Sequence, residues 1–262
     1  MEETELRKYI ENDNFLDIAY ERYEKFKLTD NYGEQYKFDT LSKLNEYFAG
    51  LTIDEKNVVE IARKIEKSNP QKGTFADWRY INDFTDFVEK HPDKTARLLN
   101  SLYKDHDREL EERINEFHKE GKSYRKDIKF GAPLFGYLLA AYNCKRFPLY
   151  KEDVFTGMKR MLGIKRKLGT VSENYALFYE LCREVQDYFA RNGRRLTMLE
   201  VQDFFYCLTQ YEDLKVETVI AFIYDQAKKL ASFANDDAQF LEAIKRMDRE
   251  YLEDIREAYR NG

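Results

Sequence analysis

The sequence predicts an all-α protein, an irregular bundle of about nine to ten helices. Apolar residues recur at intervals of three and four along most of the 262 residues, and no segment alternates convincingly with a period of two. Charged residues make up 35% of the chain, which has only 11 glycines and 4 prolines, so helices with solvated charged faces are favoured over a turn-rich β fold. The 43% of hydrophobic residues suffice for a core.

Three helices are predicted in residues 1–68, which we interpret as an N-terminal helical subdomain. Each ends at a turn or helix-stop signal, namely the turn at residues 31–33, Gly50 and Pro70. The predicted bounds are Glu2 to Lys27, Asp39 or Thr40 to Gly50, and Asp54 to Asn69. The polar stretch at residues 68–73 is the best linker candidate in the chain.

A helical core domain is predicted over residues 74–210, and it begins with two helices. Thr74 is expected to cap the first helix, and Asp93 the second, which continues to Gly121 with a charged middle that faces water. The first helix carries a stripe of large apolar side chains, which we expect to lie in the core. The stripe consists of Trp78, Ile81, Phe84, Phe87 and Val88.

The stretch from residue 130 to 163 is the most apolar part of the core domain. Pro133 suits the first turn of a helix, which is predicted to be almost wholly buried. Pro148 interrupts the helical pattern, and a second apolar face begins at Val154 and ends at Gly163.

Four further helices complete the prediction. One starts at Ser172 and stops at Asn192, and the next opens with a capping box formed by Thr197 and Glu200. Residues 211–262 are expected to form a C-terminal helical pair, which could connect the chain to another domain. The pair is predicted at Val216 to Phe233 and Phe240 to Tyr259.

The sequence lacks the motifs of several classes of nucleotide-binding and metal-binding sites. No Gly-rich phosphate loop precedes a Lys and a Ser or Thr, and the three histidines do not match a metal-binding motif, so we expect no cofactor and no metal. Cys144, Cys182 and Cys207 are expected to be buried free thiols. No apolar run is long enough to span a membrane and no targeting peptide is recognisable, so a cytoplasmic protein is expected.

Positive charge is concentrated in one part of the chain. Residues 122–170 contain twelve Lys or Arg against three Asp or Glu, a net charge of +9, which leaves −14 for the rest of a chain whose total is −5. Such a segment is typical of a local phosphate-contacting surface, and equally of a solvated face. The candidate nucleic-acid-binding cations are Lys129, Lys145, Arg146, Lys159, Arg160, Lys165, Arg166 and Lys167. Phe147 and Tyr150 are candidates for stacking on a flipped base, or else they anchor their loop in the core.

Arg113 and His118 form an R-x4-H arrangement, which resembles the active-site motif of HEPN ribonucleases. The resemblance implies that His118 moves a proton at a ribose 2′-hydroxyl while Arg113 stabilises the developing phosphorane charge. The alternative is a surface arginine and a histidine near the end of its helix that interacts with the helix dipole.

A second resemblance extends over residues 74–210, about half of the chain. Its features, in order, are a helix with Trp78, a charged helix, Gly131 before an apolar helix, a K-R-F-P-L-Y loop at residues 145–150, a Tyr- and Phe-rich helix and a closing apolar helix. This order resembles the helical N-terminal region that precedes the AAA-type motor in McrB-like, modification-dependent restriction ATPases. The sequence departs from that pattern in lacking an acidic residue directly after Tyr150, in having Asn143-Cys144 where a proline is usual, and in lacking the motor.

The McrB-like resemblance implies a DNA-binding or target-sensing module of a restriction or antiviral defence system, which is not an enzyme by itself. Its expected partners are duplex DNA and an AAA-type motor or nuclease subunit, and an oligomer is compatible with this role. The rival hypotheses are a HEPN-like ribonuclease and a helical protein-interaction scaffold in which residues 236–260 dock a partner.

Overall fold

The computed structural model of the protein describes residues 15–162 and 164–215. Within these ranges the chain is all-helical and has no strand, which confirms the predicted multi-helix bundle. The helices are α1 Phe15–Phe26, α2 Gln35–Phe48, α3 Val58–Ser68, α4 Trp78–Lys90, α5 Pro92–Lys104, α6 Leu110–Tyr124, α7 Ala132–Asn143, α8 Glu152–Met161, α9 Val171–Arg191 and α10 Met198–Gln210, followed by a 3-10 turn at Glu212–Leu214. The start of the predicted first helix, Gly163 and the predicted C-terminal pair lie outside the described residues.

Helix α7 is the centre of the core, as its sequence predicts. Nine of its twelve residues are buried, and α2, α5 and α9 all pack against it. Gly136 allows the loop after α7 to fold back onto the helix, because a Cβ atom at this position would lie 2.5 Å from the backbone nitrogen of Tyr150. The helix and its return loop therefore form one packing unit.

The first helices share this core and do not pack as a separate body. The side-chain amide of Asn45 on α2 donates to the carbonyls of Ala140 and Ala141 at 2.9 and 2.7 Å, and its oxygen accepts from the backbone of Cys144 at 2.9 Å. These bonds satisfy backbone groups at the C-terminal end of α7. The predicted linker at residues 68–73 is tied down as well, since Asn69 accepts from the backbone nitrogen of Phe75 at 3.0 Å.

A buried polar cluster joins α1, α2 and α10. Asp203 is fully buried and accepts from the hydroxyls of Tyr23 and Tyr32, both at 2.8 Å. The ammonium of Lys37, a side chain that is 2% exposed, lies 3.1 Å from Asp203 and 2.8 Å from Glu34. One buried cation thus serves two buried carboxylates.

The single helix predicted from Asp93 to Gly121 is wrong, because the chain forms two helices, α5 and α6. The two helices pack against each other, and Ile114 and Phe117 on α6 are buried. Arg113 explains the break: its guanidinium donates to the carbonyl of Leu102 at 2.8 Å, one of the carbonyls left without an intrahelical partner at the end of α5.

Several predicted helix starts are also corrected. Helix α2 begins at Gln35, upstream of the predicted caps. Thr74 does not cap α4, because its hydroxyl donates to the carbonyl of Ala76, and Asp77 is the cap instead, accepting from the backbone nitrogen of Arg79 at 2.9 Å. Helix α9 begins at Val171, one residue before the predicted start, and Thr170 caps it, whereas the capping box of Thr197 and Glu200 is confirmed.

The aromatic stripe of α4 is buried except at its first member. Ile81, Phe84, Phe87 and Val88 are at most 3% exposed, but Trp78 is 66% exposed. The predicted core position of Trp78 is therefore wrong. It is the first residue of α4, and the packing that covers the rest of the stripe does not extend to it.

All three cysteines are free and buried, as predicted. None of the described helices is both long and apolar enough to cross a membrane.

Candidate nucleic-acid interface

Four of the twelve cations in residues 122–170 are engaged inside the fold. Three of them donate to backbone carbonyls, and the guanidinium of the fourth pairs with carboxylates of α4. These four are Lys122, Lys151, Lys159 and Arg125. The charge that a ligand meets is therefore smaller than the sequence suggests.

Lys159 is a correction to the predicted set of phosphate contacts. Its side chain is 8% exposed, and its ammonium donates to the carbonyl of Arg166 at 2.9 Å and lies 4.9 Å from the ring centre of Phe155. Desolvation lowers the pKa of Lys159, and the nearby charge of Arg166 lowers it further. Lys159 holds a loop in place and has no free face for a phosphate.

The loop that Lys159 holds, residues 164–170, joins α8 to α9 and has several anchors. The backbone nitrogen of Ile164 donates to the carbonyl of Lys159 at 2.8 Å, and the Ile164 side chain is buried. At the other end, the side chain of Asn174 accepts from the backbone nitrogen of Gly169 at 2.8 Å and donates to its carbonyl at 3.2 Å. The capping box of Thr170 then starts α9. The loop backbone is fixed at both ends and in the middle.

Four exposed cations project from this loop and from the end of α8, and we call them the loop cations: Arg160, Lys165, Arg166 and Lys167. None of them forms an ion pair with a residue that the structure describes. The carboxylate of Glu173 lies near Arg166 and is occupied by the capping box: hydrogen bonds from Thr170 lower its pKa, and the charge of Arg166 adds to the effect. The loop cations thus form a cluster of charge that is not neutralised within the described part of the chain.

Lys129, Lys145 and Arg146 are exposed and belong to the segments that flank α7, not to the loop. Lys129 precedes α7 and the other two follow it, and a helix of twelve residues is about 18 Å long. Arg146 is partly engaged, since its guanidinium nitrogens lie 3.2 and 3.3 Å from the two ring nitrogens of His106. The basic segment of the sequence is therefore divided into separate patches.

Phe147 and Tyr150 are both 1% exposed, so the prediction that they stack on a base is wrong. The ring of Phe147 packs 5.8 Å from that of Tyr179, and the ring of Tyr150 meets that of Phe178 edge-on at 5.3 Å. The structure shows the alternative, a loop anchored in the core.

The R-x4-H pair does not converge on one site. Arg113 is 6% exposed and caps α5 through its bond to Leu102, and desolvation lowers its pKa. His118 follows five residues later on α6, so the two side chains leave the helix about 140° apart. Desolvation also lowers the pKa of His118, with a smaller effect from Lys122. Within one chain the pair has no shared face on which a phosphate could bind.

An open depression of about 1050 Å³ lies between the end of α1 and the turn before α10. Its lining carries charges of both signs, including Glu21, Glu24, Arg194 and Arg195. Arg194 is paired with Asp17 at 2.8 Å. The mixed charge does not favour phosphate at this place, and no cluster of side chains that could hold a metal ion occurs among the described residues.

Comparisons with protein-family models, with curated protein sequences and with solved structures gave no match to this chain. The residues that carry the McrB-like resemblance, including Leu138, Leu139 and the 145–150 loop, belong mainly to the buried unit built on α7. That resemblance therefore concerns mostly packing residues, and the argument for a ligand depends on the exposed cations.

Proposed function

We propose that the protein is a DNA-binding or target-sensing module that contacts duplex phosphates through the loop cations and is not catalytic by itself. The observation that carries the proposal is four exposed cations, without an ion pair to any described residue, on and beside a loop whose backbone is fixed by Lys159, Asn174 and the Thr170 capping box. A surface that is already ordered loses little conformational entropy when it binds. Lys129, Lys145 and Arg146 are too dispersed to form the centre of this surface, and they extend it at most.

The chemistry of these residues favours the DNA backbone over base edges. Lysine and arginine on a surface loop neutralise phosphates, which fixes register and supplies a salt-dependent affinity without sequence information. In the setting that the McrB-like resemblance implies, a restriction or antiviral defence system, nucleotide hydrolysis and DNA cleavage belong to an AAA-type motor or nuclease partner.

The test is fluorescence anisotropy of a labelled DNA duplex at several salt concentrations. If all four loop cations contact phosphates, the plot of log K against log salt has a slope of about −3.6, at about −0.9 for each neutralised phosphate. The triple variant K165Q/R166Q/K167Q is expected to weaken binding and to reduce the slope to about −0.9.

The matched control is K43Q/K56Q/K67Q, which removes the same net charge from exposed lysines on and around α2 and α3. It separates the position of the charge from its amount. Equal effects of the two triple variants, or a slope that neither variant changes, would show that the loop does not contact DNA.

Repeating the titration with a cytosine-modified duplex tests the restriction setting. A preference for the modified duplex supports a modification-dependent system. Equal affinities for both duplexes leave the phosphate surface intact but contradict recognition of that modification.

A further inference from the structure

The loop of residues 164–170 carries two aliphatic side chains in opposite environments. Ile164 is 8% exposed and anchors the loop, whereas Leu168 is 42% exposed. Single exposed leucines are common on protein surfaces, so exposure alone does not indicate a ligand. What distinguishes Leu168 is the backbone that holds it and the charge that surrounds it.

The backbone on both sides of Leu168 is fixed. Before it, the carbonyl of Arg166 accepts from the buried ammonium of Lys159 at 2.9 Å. After it, the backbone nitrogen of Gly169 donates to the side-chain oxygen of Asn174 at 2.8 Å, and the carbonyl of Gly169 accepts from the same side chain at 3.2 Å. One further residue separates these two fixed points. The exposed position of the leucine is therefore built into the loop, and it is available to a ligand without rearrangement.

The charge beside Leu168 is positive. Residues 154–172 contain five Lys or Arg and no Asp or Glu, and four of the five are the loop cations. The next acidic residue along the chain, Glu173, is engaged by the backbone nitrogen of Thr170 at 2.7 Å in the capping box. Glu152, at the start of α8, acts on the fifth cation, the buried Lys159. The cations outnumber these carboxylates, so the exposed leucine is combined with a preference for an anion.

A single leucine among such cations suits duplex DNA better than a membrane. Binding at a membrane surface depends on a broad apolar face, and one leucine supplies little of that area. Proteins that bind the minor groove of DNA combine Lys and Arg with an apolar wedge, often a leucine, that enters between two base pairs. A narrow minor groove also attracts Lys and Arg through its negative potential. The residues of this loop therefore match a minor-groove contact.

We infer that Leu168 is a wedge that enters the minor groove of duplex DNA and partly unstacks one base step, while the loop cations contact the flanking phosphates. The inference rests on the proposed function, because it assigns a further role to the same loop. It adds that the duplex is kinked at the contact and that preferred sites contain an easily unstacked step such as TA. Phosphate contacts alone carry no such preference.

The test uses the full chain and a duplex of about 20 base pairs with 2-aminopurine beside a central TA step. The fluorescence of 2-aminopurine rises when the base loses its stacking, so saturation with the wild-type protein is expected to increase the emission. L168A is expected to bind with an unchanged salt slope, because all four loop cations remain, but without this increase. L168M keeps a long apolar side chain and is expected to retain the increase.

The affinity is measured in parallel by anisotropy on two duplexes that differ only at the centre, where one has the TA step and the other a stiff A-tract. The wild type is expected to prefer the TA duplex by about 10-fold, a usual effect of one altered base pair, and L168A is expected to lose this preference. The control L28A truncates a leucine that is 88% exposed beside the depression of mixed charge, and it is expected to behave as the wild type does. Circular dichroism checks that the variants are folded.

An equal increase in emission with the wild type and with L168A overturns the inference, and so does the absence of any increase at saturation. If replacing thymine by uracil weakens binding as much as L168A does, the leucine contacts a thymine methyl group in the major groove, which also overturns it. Binding to phosphatidylserine vesicles that requires Leu168, with DNA signals that do not, assigns the leucine to a membrane and has the same consequence.

A failure of the wedge is distinguishable from a failure of the proposed function. Binding with the expected salt slope but without unstacking contradicts the wedge alone. A wild type that binds no duplex, or a slope that K165Q/R166Q/K167Q does not change, contradicts the phosphate contacts of the loop and with them the inference.

Discussion

Replacing Lys37 by methionine is expected to destabilise the fold far more than replacing its partner Asp203 by asparagine. The ammonium of Lys37 lies 2.8 and 3.1 Å from the buried carboxylates of Glu34 and Asp203. In K37M both carboxylates stay in the core without the ammonium that contacts them. Breaking a buried ion pair in this way costs about 3–5 kcal/mol.

The variant D203N leaves one positive and one negative charge in the cluster. In D203N, Lys37 keeps Glu34 as its partner, and the asparagine oxygen still accepts from Tyr23 or Tyr32. The expected loss is about 1–2 kcal/mol, the net value of weakened hydrogen bonds. Out of a total stability of about 5–15 kcal/mol for a native protein, the difference between the two variants is large.

The assay is urea unfolding followed by far-ultraviolet circular dichroism, since the exposed Trp78 is a poor reporter of the core. The free energies are compared where the m-values agree with that of the wild type. The double variant K37M/D203N should lose less than the sum of the two single losses, because it removes one of the two uncompensated charges. A D203N loss equal to that of K37M would refute the argument that charge balance governs this cluster.

Two further predictions concern the core. G136A is expected to lose at least about 2 kcal/mol despite the better helix propensity of alanine, because its Cβ would meet the backbone of Tyr150 at 2.5 Å. G157A is expected to lose less, because its Cβ would meet a side chain and not the backbone, at 2.4 Å from the methyl group of Thr209 and 3.2 Å from its Cβ. Urea midpoints decide, and equal losses would contradict the account of the α7 loop. Stability is expected to fall as the pH rises above about 10. Desolvation raises the pKa of buried tyrosines such as Tyr137 and Tyr175 above the unfolded value of 10.0. The unfolded chain therefore releases protons that the folded state retains, and alkaline pH favours unfolding. Urea midpoints measured between pH 8 and pH 11 test this, and a constant midpoint would count against it.

The fold was largely predictable because it depends on local signals. Helix α7 is apolar on all sides, so burial was predictable without knowing its neighbours, and the Thr197 capping box specifies a helix start within four residues. The break between α5 and α6 was missed, since it depends on a tertiary bond from Arg113 to Leu102. Periodicity identifies the apolar face of a helix, but it does not reveal how far along the helix other elements cover that face, which is why Trp78 was placed in the core.

The candidate site was predicted less well, and Lys159 shows the physical reason. The aliphatic part of a lysine side chain can lie along an apolar surface as well as extend into water. In this fold the ammonium of Lys159 is buried because it donates to the carbonyl of Arg166, seven residues away. Counting the Lys and Arg residues of a segment therefore overestimates the positive charge that a ligand contacts. Each neutralised phosphate contributes about −0.9 to the slope of log K against log salt. The eight candidate cations would give a slope of about −7.2, and the seven exposed ones about −6.3. The loop cations alone would give about −3.6. Because these values are well separated, the measured slope itself reports whether the loop acts alone or together with the patches at the two ends of α7.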